Sequence, residues 1–366
     1  MNPPIKMKAA LITEFMAPIR VVDNVEIDAP RDGEVLVKVS HVGLCSTDLS
    51  IYGGGDPNYP LPALVGHEAT GIVHEVGGDV ANCQVGNRVV LSMGFPCGAC
   101  GECAKGSPQT CDNVGVAGRP RIKWQGKGVF PAFGLGAFAE YALVKAENVV
   151  VIPDDTPGEF AALVGCAVQT GIGAVNNVAQ MPAGSSCLVN GAGSVGICVI
   201  QAAAAAGAKI IIAIDPNLDR REAALKLGAT HAFASDDDDL LNKIYQTVQG
   251  PGVDYGFDLV GIPAVTELTV SATRPGGKAV LIGVKLPDMA ANIPTMQIVL
   301  QAKKIEGCYL GNCNAAEEIP IFLKMWKDGK FNIDALITAR RPIEEINEAF
   351  ADLIAGKGLR TVLNVD

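Results

Sequence analysis

Valine-rich runs cut by glycine and proline make up the chain to about residue 150. The runs GEVLVKVSHVG, GHEATGIVHEVGG and GNRVVLSM each place apolar side chains between turn-forming residues. Short apolar runs with such boundaries are typical of β-strands. This part of the chain is therefore predicted to form a twisted antiparallel barrel.

From about residue 168 the pattern changes to apolar strands that alternate with alanine-rich helices. Strands are predicted in SSCLVNGAG, KIIIAID, VDYGFDLVG and GGKAVLIGV, and helices between the first three in SVGICVIQAAAAAGA and LDRREAALKLGA. This alternation indicates βαβ units and a parallel sheet, so the expected fold class is α/β beside a mostly-β part. The tail IEEINEAFADLIAGKGLRTVLNVD predicts an amphipathic helix, a glycine stop and a last strand.

Composition narrows the classes of protein without changing this picture. The 366 residues exceed one ordinary domain, and 49% hydrophobic with 19% charged residues is usual for a soluble chain. The net charge of -10 disfavours nucleic acid, whose binding needs clustered Lys and Arg. No run suits a signal peptide or membrane span, so no membrane partner and a reducing, cytoplasmic location are expected. There the eleven cysteines are expected to be metal ligands, catalytic groups or core residues rather than disulfides.

Three glycines stand where the first βαβ unit turns from strand to helix: Gly191, Gly193 and Gly196 form a G-x-G-x-x-G motif. The first allows a tight turn, the second lets the backbone approach a pyrophosphate, and the third lets helix and strand pack closely. Because the motif lies in a complete βαβ unit, a dinucleotide site is favoured over a purely structural turn. Ser194 and Val195, at the start of the helix, are assigned to the same site.

The acidic residue Asp215 closes the second strand of that unit. A carboxylate there can accept both hydroxyls of an adenosine ribose and repels a 2′-phosphate, which favours NAD over NADP. Arg220 and Arg221 lie close by and would suit a 2′-phosphate, so NADP stays an alternative. Arg220 is assigned to the cofactor site.

Four cysteines cluster in FPCGACGECAKGSPQTCDN, at Cys97, Cys100, Cys103 and Cys111. Four thiolates can close a tetrahedron around Zn²⁺ with no open position, which is the arrangement of a structural site. The spacing C-x2-C-x2-C also begins ferredoxin motifs, but those continue x3-C-P, whereas this sequence continues x7-C-D. Structural zinc is therefore favoured over an iron–sulfur cluster.

A catalytic metal would need other ligands. The candidates are Cys45 in VGLCSTDLS, His67 with Glu68 in LVGHEATG, and Cys166 in VGCAVQTGIG. A lone cysteine or histidine beside a strand is more often a core residue than a ligand. The residues alone therefore leave this set open.

Together these motifs resemble those of the zinc-dependent medium-chain alcohol dehydrogenases, over nearly the whole chain. The resemblance is carried by GLCSTDL, GHEATGIVHEVG, VGNRVV, the four-cysteine lobe, GCAVQTG, GAGSVG with Asp215, and LRTVLNV. It implies a GroES-like, mostly-β catalytic domain and a Rossmann domain, with NAD and two zinc ions per subunit. The expected boundaries are 1–167 for the catalytic domain with a zinc lobe at about 94–113, 168–309 for the Rossmann domain, and 310–366 for the return to the catalytic domain.

The resemblance also implies roles for single residues. Cys45, His67 and Cys166 would hold the catalytic zinc, and Asp48 and Glu68 would orient His67 and tune the metal. Zinc then acts as a Lewis acid toward the alcohol, whose hydride moves to the nicotinamide.

Proton release and the pyrophosphate contacts involve further residues. The hydroxyl of Thr47 is the first candidate to pass the alcohol proton toward the cofactor ribose, and Arg360 resembles the family arginine that reaches the pyrophosphate. Ser50 stands where many relatives have a histidine that ends this relay, and Ser46 where they have a basic residue on the pyrophosphate. Serine relays a proton only through water. We therefore expect weaker retention of NADH, and a stronger pH dependence of the rate, than in relatives that have both basic residues.

The implied function is hydride transfer between NAD and an alcohol, giving the aldehyde or ketone. A hydrophobic primary, allylic or aromatic alcohol is favoured, because four aromatic residues could line an apolar pocket: Trp124, Phe130, Phe133 and Phe138. Two alternatives stay open. The segment 113–139 has no acid but four basic residues, Arg119, Arg121, Lys123 and Lys127, which could capture the anionic handle of a cyclic hydroxyacyl-coenzyme A. The second alternative is a zinc-bearing scaffold of the same fold without turnover.

The resemblance further implies self-association. The family associates through the edge of the Rossmann sheet, and the apolar stretches VLIGV and KIEGCYLG could supply that edge. A homodimer or homotetramer is therefore expected.

Overall fold

The computed structural model describes residues 3–93, 97, 99–113, 121–284 and 289–365. The chain forms two compact units. The first comprises Met1–Cys166, Asn314–Lys324 and Ile333–Asp366, and the second comprises Ala167–Cys313 and Met325–Asn332. The domain boundaries expected above stay predictions.

The described residues contain eighteen strands and eleven α-helices. The strands are β1 Ile5–Ile12, β2 Arg20–Ile27, β3 Glu34–Gly43, β4 Ala63–Leu64, β5 Glu68–Val76, β6 Arg88–Leu91, β7 Ile122–Trp124, β8 Lys127–Pro131, β9 Tyr141–Lys145, β10 Val149–Val151, β11 Ser186–Asn190, β12 Ile210–Ile214, β13 His231–Phe233, β14 Val253–Asp258, β15 Thr273–Leu281, β16 Lys304–Gly307, β17 Ile337–Pro342 and β18 Arg360–Asn364. The helices are α1 Ser46–Tyr52, α2 Gly101–Ala104, α3 Gly158–Leu163, α4 Gln169–Gly173, α5 Ser194–Ala205, α6 Leu218–Lys226, α7 Leu240–Val248, α8 Pro263–Ala272, α9 Thr295–Gln301, α10 Ala315–Lys327 and α11 Ile346–Ile354. The last helix and strand, α11 and β18, are those predicted for the tail.

The first unit contains a barrel and a larger sheet. Strands β1, β2, β7, β8 and β4 close the barrel in that order, and the sheet runs β10-β6-β5-β3-β18-β17, with β9 also paired to β3. The three valine-rich runs are β3, β5 and β6, which pair antiparallel as neighbours. The predicted barrel is present in this part of the chain, but these three runs lie outside it, in the larger sheet. An apolar run predicts a buried strand, but the choice of partner depends on packing with distant strands.

Strand β3 shows why this sheet needs such apolar runs. It pairs with β5 on one side and with β9 and β18 on the other. Three consecutive residues, Val35, Leu36 and Val37, are fully buried, although their side chains alternate between the two faces. Both faces of the strand are therefore covered at these three residues, which are all apolar, whereas the next residue, Lys38, is exposed.

The second unit holds a six-stranded sheet in the order β13-β12-β11-β14-β15-β16. All of its neighbouring strands are parallel. The predicted parallel sheet is therefore confirmed. The order reverses direction between β11 and β14, and ligands of such sheets bind outside the carboxyl ends of the strands at that point. Asn190 and Asp258 close these two strands there, and both are buried.

A long apolar helix, Gly158–Ala179, contains α3 and α4 together with wider π-type turns. It is the one helix in the described ranges with the length and hydropathy of a membrane span. Because 83% of the apolar window lies buried within the fold, it has the character of a core helix.

Candidate metal centres and cofactor site

A buried cluster brings together the three predicted zinc ligands. Cys45, His67, Glu68 and Cys166 each offer one ligand atom, and these atoms lie within 4.8 Å of one another. Cys45 caps the N-terminus of α1, His67 and Glu68 stand at the start of β5, and Cys166 lies in the π-type turn Val164–Val168. Three separate parts of the chain therefore meet at one point.

Asp48 organises two of these ligands from the first turn of α1. Its Oδ2 accepts from the backbone N–H of Cys45 at 3.0 Å, and its Oδ1 accepts from the backbone N–H of Gly66 at 3.0 Å. The same Oδ1 lies 3.1 Å from His67 Nδ1, and both side chains are fully buried. Because the carboxylate accepts the Nδ1 proton, Nε2 is the nitrogen that offers a lone pair.

The unpartnered Nε2 of His67 fits a metal. It is buried and has no hydrogen-bond partner among the described residues, whereas buried polar atoms in proteins are generally paired. Two cysteine sulfurs and an imidazole nitrogen are a known donor set for catalytic zinc, and three protein ligands leave one position open. These residues therefore fit a catalytic zinc ion.

The electrostatics of the cluster favour a thiolate at Cys45 and a neutral thiol at Cys166, because the hydrogen bond to Cys45 and burial raise the pKa of Cys166 well above its usual value. A hydrogen bond from the Cys166 thiol lowers the pKa of Cys45 well below its usual value, despite the opposing effect of burial. Burial lowers the pKa of His67, but the charge and hydrogen bond of Asp48, together with those of Cys45, outweigh it and raise that pKa well above its usual value. A cation in the cluster would therefore meet a ready thiolate at Cys45 and would displace a proton from His67.

Glu68 and Arg360 form an ion pair beside the cluster. Arg360 Nη2 lies 3.1 Å from Glu68 Oε1, although neither Glu68 oxygen accepts a hydrogen bond of good geometry within the described ranges. Burial raises the pKa of Glu68 to about 7, and the positive charge of Arg360 opposes that rise. Arg360 is itself buried and donates from Nη1 to the Leu44 carbonyl at 2.7 Å. Its predicted contact with the pyrophosphate stays a prediction.

The two hydroxyls of the predicted relay lie on α1. Thr47 Oγ1 is 3.6 Å from Cys45 Sγ, which places this hydroxyl at the cluster. Ser50 Oγ donates to the Ser46 carbonyl at 3.4 Å, one helical turn back. The structure thus brings Thr47 to the candidate ligands and directs the Ser50 hydroxyl to its own helix.

The four-cysteine lobe forms a second cluster, in which the sulfurs of Cys97, Cys100, Cys103 and Cys111 lie within 4.8 Å of one another. Backbone N–H groups point at these sulfurs: that of Cys97 donates to Cys111 at 3.2 Å, and that of Cys100 donates to Cys97 at 3.3 Å. Hydrogen bonds from the backbone, with Ala99 contributing most, lower the pKa of Cys97 to about 6. Four sulfurs this close together, with Cys97 prepared as a thiolate, fit a closed zinc site.

The glycine motif between β11 and α5 has the geometry its sequence implied. Gly191 has φ +102°, and a Cβ there would stand 2.8 Å from Val260 Cγ2. A Cβ at Gly196 would stand 1.9 Å from the Gly191 carbonyl oxygen, so only glycine permits this close approach of helix and strand. A Cβ at Gly193 would have no described heavy atom within 4 Å, which leaves open space before the helix N-terminus.

The carboxylate of Asp215 faces this turn. It is 3% exposed, and it accepts from the backbone N–H of Ala192 and of Asn217, both at 2.9 Å. Arg221 Nη1 donates to the Asp215 carbonyl at 2.7 Å, so part of its guanidinium is bound to the backbone. Ser194 is buried, Val195 is half-buried at the start of α5, and Arg220 is half-buried in α6. The acid therefore lies beside the motif, as a ribose acceptor must.

The basic segment is less open than its composition suggested. Arg121 Nε lies 2.9 Å from Asp28 Oδ2, and Nη1 lies 2.8 Å from Glu34 Oε2, so two acids neutralise this guanidinium. Lys123 and Lys127 are exposed on the β7–β8 hairpin. Arg119 lies outside the described residues. Arg121 is therefore engaged within the fold and is not a free anion contact.

The four aromatic residues of this segment have different surroundings. Trp124 is buried under Arg20, whose guanidinium carbon lies 5.0 Å from the ring centroid, and Phe130 is half-buried. Phe138 is fully buried in the core. Only Phe133 contacts a candidate ligand among the described residues, with its ring centroid 5.1 Å from that of His67 and 70° between the planes.

Two features of the site escaped the sequence reasoning. The Leu44 carbonyl that holds Arg360 is a backbone group, and no side chain signals it. A Cβ at Gly43 would stand 2.3 Å from Glu68 Oε2 and 2.7 Å from Leu163 Cδ2. The glycine at the end of this strand was the available signal for the close approach of Glu68 to the backbone.

Sequence comparisons place the chain among zinc-binding oxidoreductases. Residues 31–154 match the family described as "Alcohol dehydrogenase GroES-like domain", and residues 194–327 match the one described as "Zinc-binding dehydrogenase". The NDMA-dependent alcohol dehydrogenase of Amycolatopsis methanolica is 35% identical over 369 residues, which cover 98% of this chain and 98% of that protein.

Solved structures agree with the sequence comparisons. An alcohol dehydrogenase zinc-binding domain protein from Burkholderia ambifaria matches with a TM-score of 0.94 at 34% identity, covering 99% of this chain and 100% of that one. The benzyl alcohol dehydrogenase of Acinetobacter calcoaceticus matches with a TM-score of 0.92 at 33% identity, with the same coverage. The likeness thus extends over both units of the fold.

Proposed function

Because the chain belongs to the zinc-dependent medium-chain alcohol dehydrogenases, enzymes that exchange hydride between alcohols and NAD, we propose that its substrate is a hydrophobic primary, allylic or aromatic alcohol. The observation that carries this proposal is the contact of the apolar Phe133 ring with the candidate ligand His67. An apolar ring at a metal ligand favours an apolar substituent on the alcohol carbon. The similarity to a benzyl alcohol dehydrogenase at 33% identity supports the same substrate class.

In this proposal Cys45, His67 and Cys166 hold the catalytic zinc. Zinc, when bound, supplies the Lewis acidity that lowers the pKa of an alcohol hydroxyl. Asp48 fixes the ring of His67 through Nδ1, and Glu68, paired with Arg360, adds a second carboxylate beside the ligands. Cys97, Cys100, Cys103 and Cys111 hold the second zinc in the closed lobe.

The proton leaves through hydroxyl groups of α1 in the same proposal. Thr47 Oγ1, near Cys45 Sγ, accepts the proton of the alcohol and passes it on. Ser50 would act at the outer end of this path, and there it needs a water molecule to reach the next group. Ser46 contributes no positive charge to the pyrophosphate.

NAD, when bound, accepts the hydride. We assign its pyrophosphate to the Gly191–Gly196 turn, including Ser194 and Val195, and its ribose to Asp215. The open space at Gly193 and the buried Asp215 carboxylate support this assignment. Arg360 is assigned to the pyrophosphate, and Arg220 to the cofactor site near Asp215.

The substrate class is tested by the appearance of NADH when the purified protein and NAD meet a panel of alcohols. The panel contains ethanol, benzyl, cinnamyl, terpenoid and cyclic alcohols. We expect kcat/KM for benzyl or cinnamyl alcohol to exceed that for ethanol by at least about tenfold, as one well-filled apolar pocket allows. Equal or greater kcat/KM for ethanol would contradict the proposal.

A cyclic hydroxyacyl-coenzyme A is the second candidate substrate. The observation in its favour is the pair of exposed lysines on the β7–β8 hairpin, Lys123 and Lys127. Free coenzyme A would then compete with the substrate, and Lys123→Glu with Lys127→Glu would weaken that inhibition. The absence of inhibition by millimolar coenzyme A would exclude it.

We also propose a homodimer or homotetramer in the cytoplasm. In α9 the side chains of Met296, Val299 and Leu300 are 72%, 75% and 76% exposed, and Ile305 is 39% exposed on β16, at the edge of the sheet. Such a cluster of exposed apolar residues favours a protein interface. Light scattering should give at least a dimer, and Val299→Lys should reduce the mass; a monomeric parent protein would contradict this. The described cysteines of both clusters are not joined in disulfides, which fits a reducing compartment.

A further inference from the structure

Phe133 has a backbone conformation that large side chains rarely adopt. Its φ is 53° and its ψ is 22°, in the left-handed region. Among the described non-glycine residues with positive φ it is the only aromatic one. A bulky residue in this region is an outlier, and such outliers persist where the surrounding structure imposes them.

The surrounding structure fastens the loop of Phe133 on both sides to the segment that leads into His67. Before the loop, Phe130 and Pro131 of β8 pair with Ala63 and Leu64 of β4. After the loop, the Ala137 N–H donates to the Gly66 carbonyl at 2.9 Å and the Phe138 N–H donates to the Val65 carbonyl at 3.0 Å.

Between these anchors the chain has little room to turn. Gly134 and Gly136 also have positive φ, 66° and 56°, which glycine adopts without strain. Phe133 is the residue in this loop that occupies the same region with a large side chain. The anchors therefore hold its ring at a set position relative to His67.

The ring at that position is only partly covered. It contacts His67, which is fully buried, while Phe133 itself is half-buried. The remaining surface is apolar and stands beside a candidate metal ligand. An alcohol that reaches the metal with a flat, apolar substituent gains contact with this surface, whereas ethanol is too short to use it.

We infer that Phe133 is a specificity-determining residue, which selects alcohols with a flat apolar substituent through a ring that its strained backbone holds beside His67. This inference rests on the proposed function. It assigns the preference for aromatic over short aliphatic alcohols to one side chain. It also predicts that the left-handed backbone at this position reduces the stability of the protein.

The experiment compares Phe133→Ala and Phe133→Gly with the parent enzyme. The matched control is Tyr141→Ala, because Tyr141 contacts His74 with nearly the same geometry, at 5.2 Å and 69°, away from the candidate ligands. For each protein we would measure kcat and KM for benzyl alcohol and ethanol, zinc content, Tm, and the Kd of benzyl alcohol by calorimetry.

Both Phe133 variants should lower the ratio of kcat/KM for benzyl alcohol to that for ethanol by about tenfold, since one pocket contact discriminates by this much or more. The Kd of benzyl alcohol should rise by a similar factor, and zinc content should stay at two per chain. Tyr141→Ala should leave the ratio unchanged. Phe133→Gly should melt about 2 °C above Phe133→Ala, because only alanine retains a Cβ in the left-handed region.

An unchanged ratio with normal zinc content would overturn the inference. Equal losses for both alcohols together with lost zinc would also overturn it, because Phe133 would then only support His67. A parent enzyme that oxidises no alcohol in the panel would instead contradict the proposed function, and the Kd of benzyl alcohol on parent and variants would still decide the role of Phe133.

Discussion

Replacing Asp48 with asparagine tests whether this carboxylate holds the catalytic ligands in place. Its two oxygens accept three hydrogen bonds, from the backbone of Cys45 and Gly66 at 3.0 Å and from His67 Nδ1 at 3.1 Å. Asparagine has nearly the same shape but only one accepting oxygen. If that oxygen serves Gly66 and His67, the amide NH₂ faces the Cys45 N–H, and one buried donor loses its partner.

The size of the expected effect of Asp48→Asn follows from the one hydrogen bond that asparagine cannot accept. A buried donor left without a partner costs about 1 to 3 kcal/mol, and about 2 kcal/mol is the central value. At about 1.4 kcal/mol per factor of ten, this equals roughly a thirtyfold change. Because this donor is the backbone of the candidate ligand Cys45, and because His67 loses the negative charge beside its ring, we expect the loss in zinc affinity and in kcat/KM alike. Loss of a group that orients a ligand typically lowers metal affinity or activity by about 10- to 100-fold.

Chelator titration of the purified enzyme measures the zinc affinity, with zinc counted per chain at each step. Asp48→Asn should bind one zinc with about thirtyfold lower affinity, while the zinc of the four-cysteine lobe should stay bound as an internal standard. The matched control is Asp56→Asn, because Asp56 is exposed in the following loop and accepts from the Asn58 N–H at 2.9 Å. A change of less than twofold in both zinc release and kcat/KM would refute the reasoning.

Four further predictions concern the lobe, the cofactor, the relay and stability. Cys111→Ser should remove one zinc per chain and lower Tm, because closed zinc sites contribute folding energy; metal analysis beside a melting curve decides this. Asp215→Ser should raise the KM for NAD and bring kcat/KM for NADP closer to that for NAD, and unchanged constants would count against the ribose assignment. Ser50→His should flatten the pH profile of kcat/KM, and an unchanged profile would rule out the water-dependent relay. Burial raises the pKa of Asp254, but hydrogen bonds from Ser186 and the ion pair with Arg274 together outweigh it and lower the pKa below its usual value. Its stabilisation is therefore present at neutral pH and lost as pH falls below about 4 through the folded pKa, so urea unfolding should separate Asp254→Asn from the parent protein at pH 7 but not in strong acid.

Motifs confined to one short stretch were predictable from the sequence. The glycine turn needs only a strand, three glycines and a helix in succession, and its positive φ at Gly191 and close approach at Gly196 follow from the absence of side chains. The four-cysteine cluster likewise lies within one stretch of chain. The parallel sheet, the family and the pairing of zinc with NAD are confirmed, because the βαβ alternation and these motifs are local patterns.

The catalytic cluster required more than local pattern. Cys45, His67 and Cys166 are far apart in sequence, and only the resemblance to a family joined them before the structure did. Their roles as ligands stay predictions. Their convergence depends on the larger sheet, in which β3 and β5 pair, and on the helix that carries Cys166.

The amino-acid sequence by itself determined the class of fold, the dinucleotide turn and the chemistry available to the chain, since each rests on the spacing of neighbouring residues. Only the tertiary structure decided which strands close the barrel, that Arg121 is neutralised by Asp28 and Glu34, and that Phe133 meets His67. The physical reason is the distance along the chain over which each kind of interaction acts. Hydrophobic periodicity and turn chemistry act over a few residues, whereas packing and ion pairing join groups that the chain brings together only after folding.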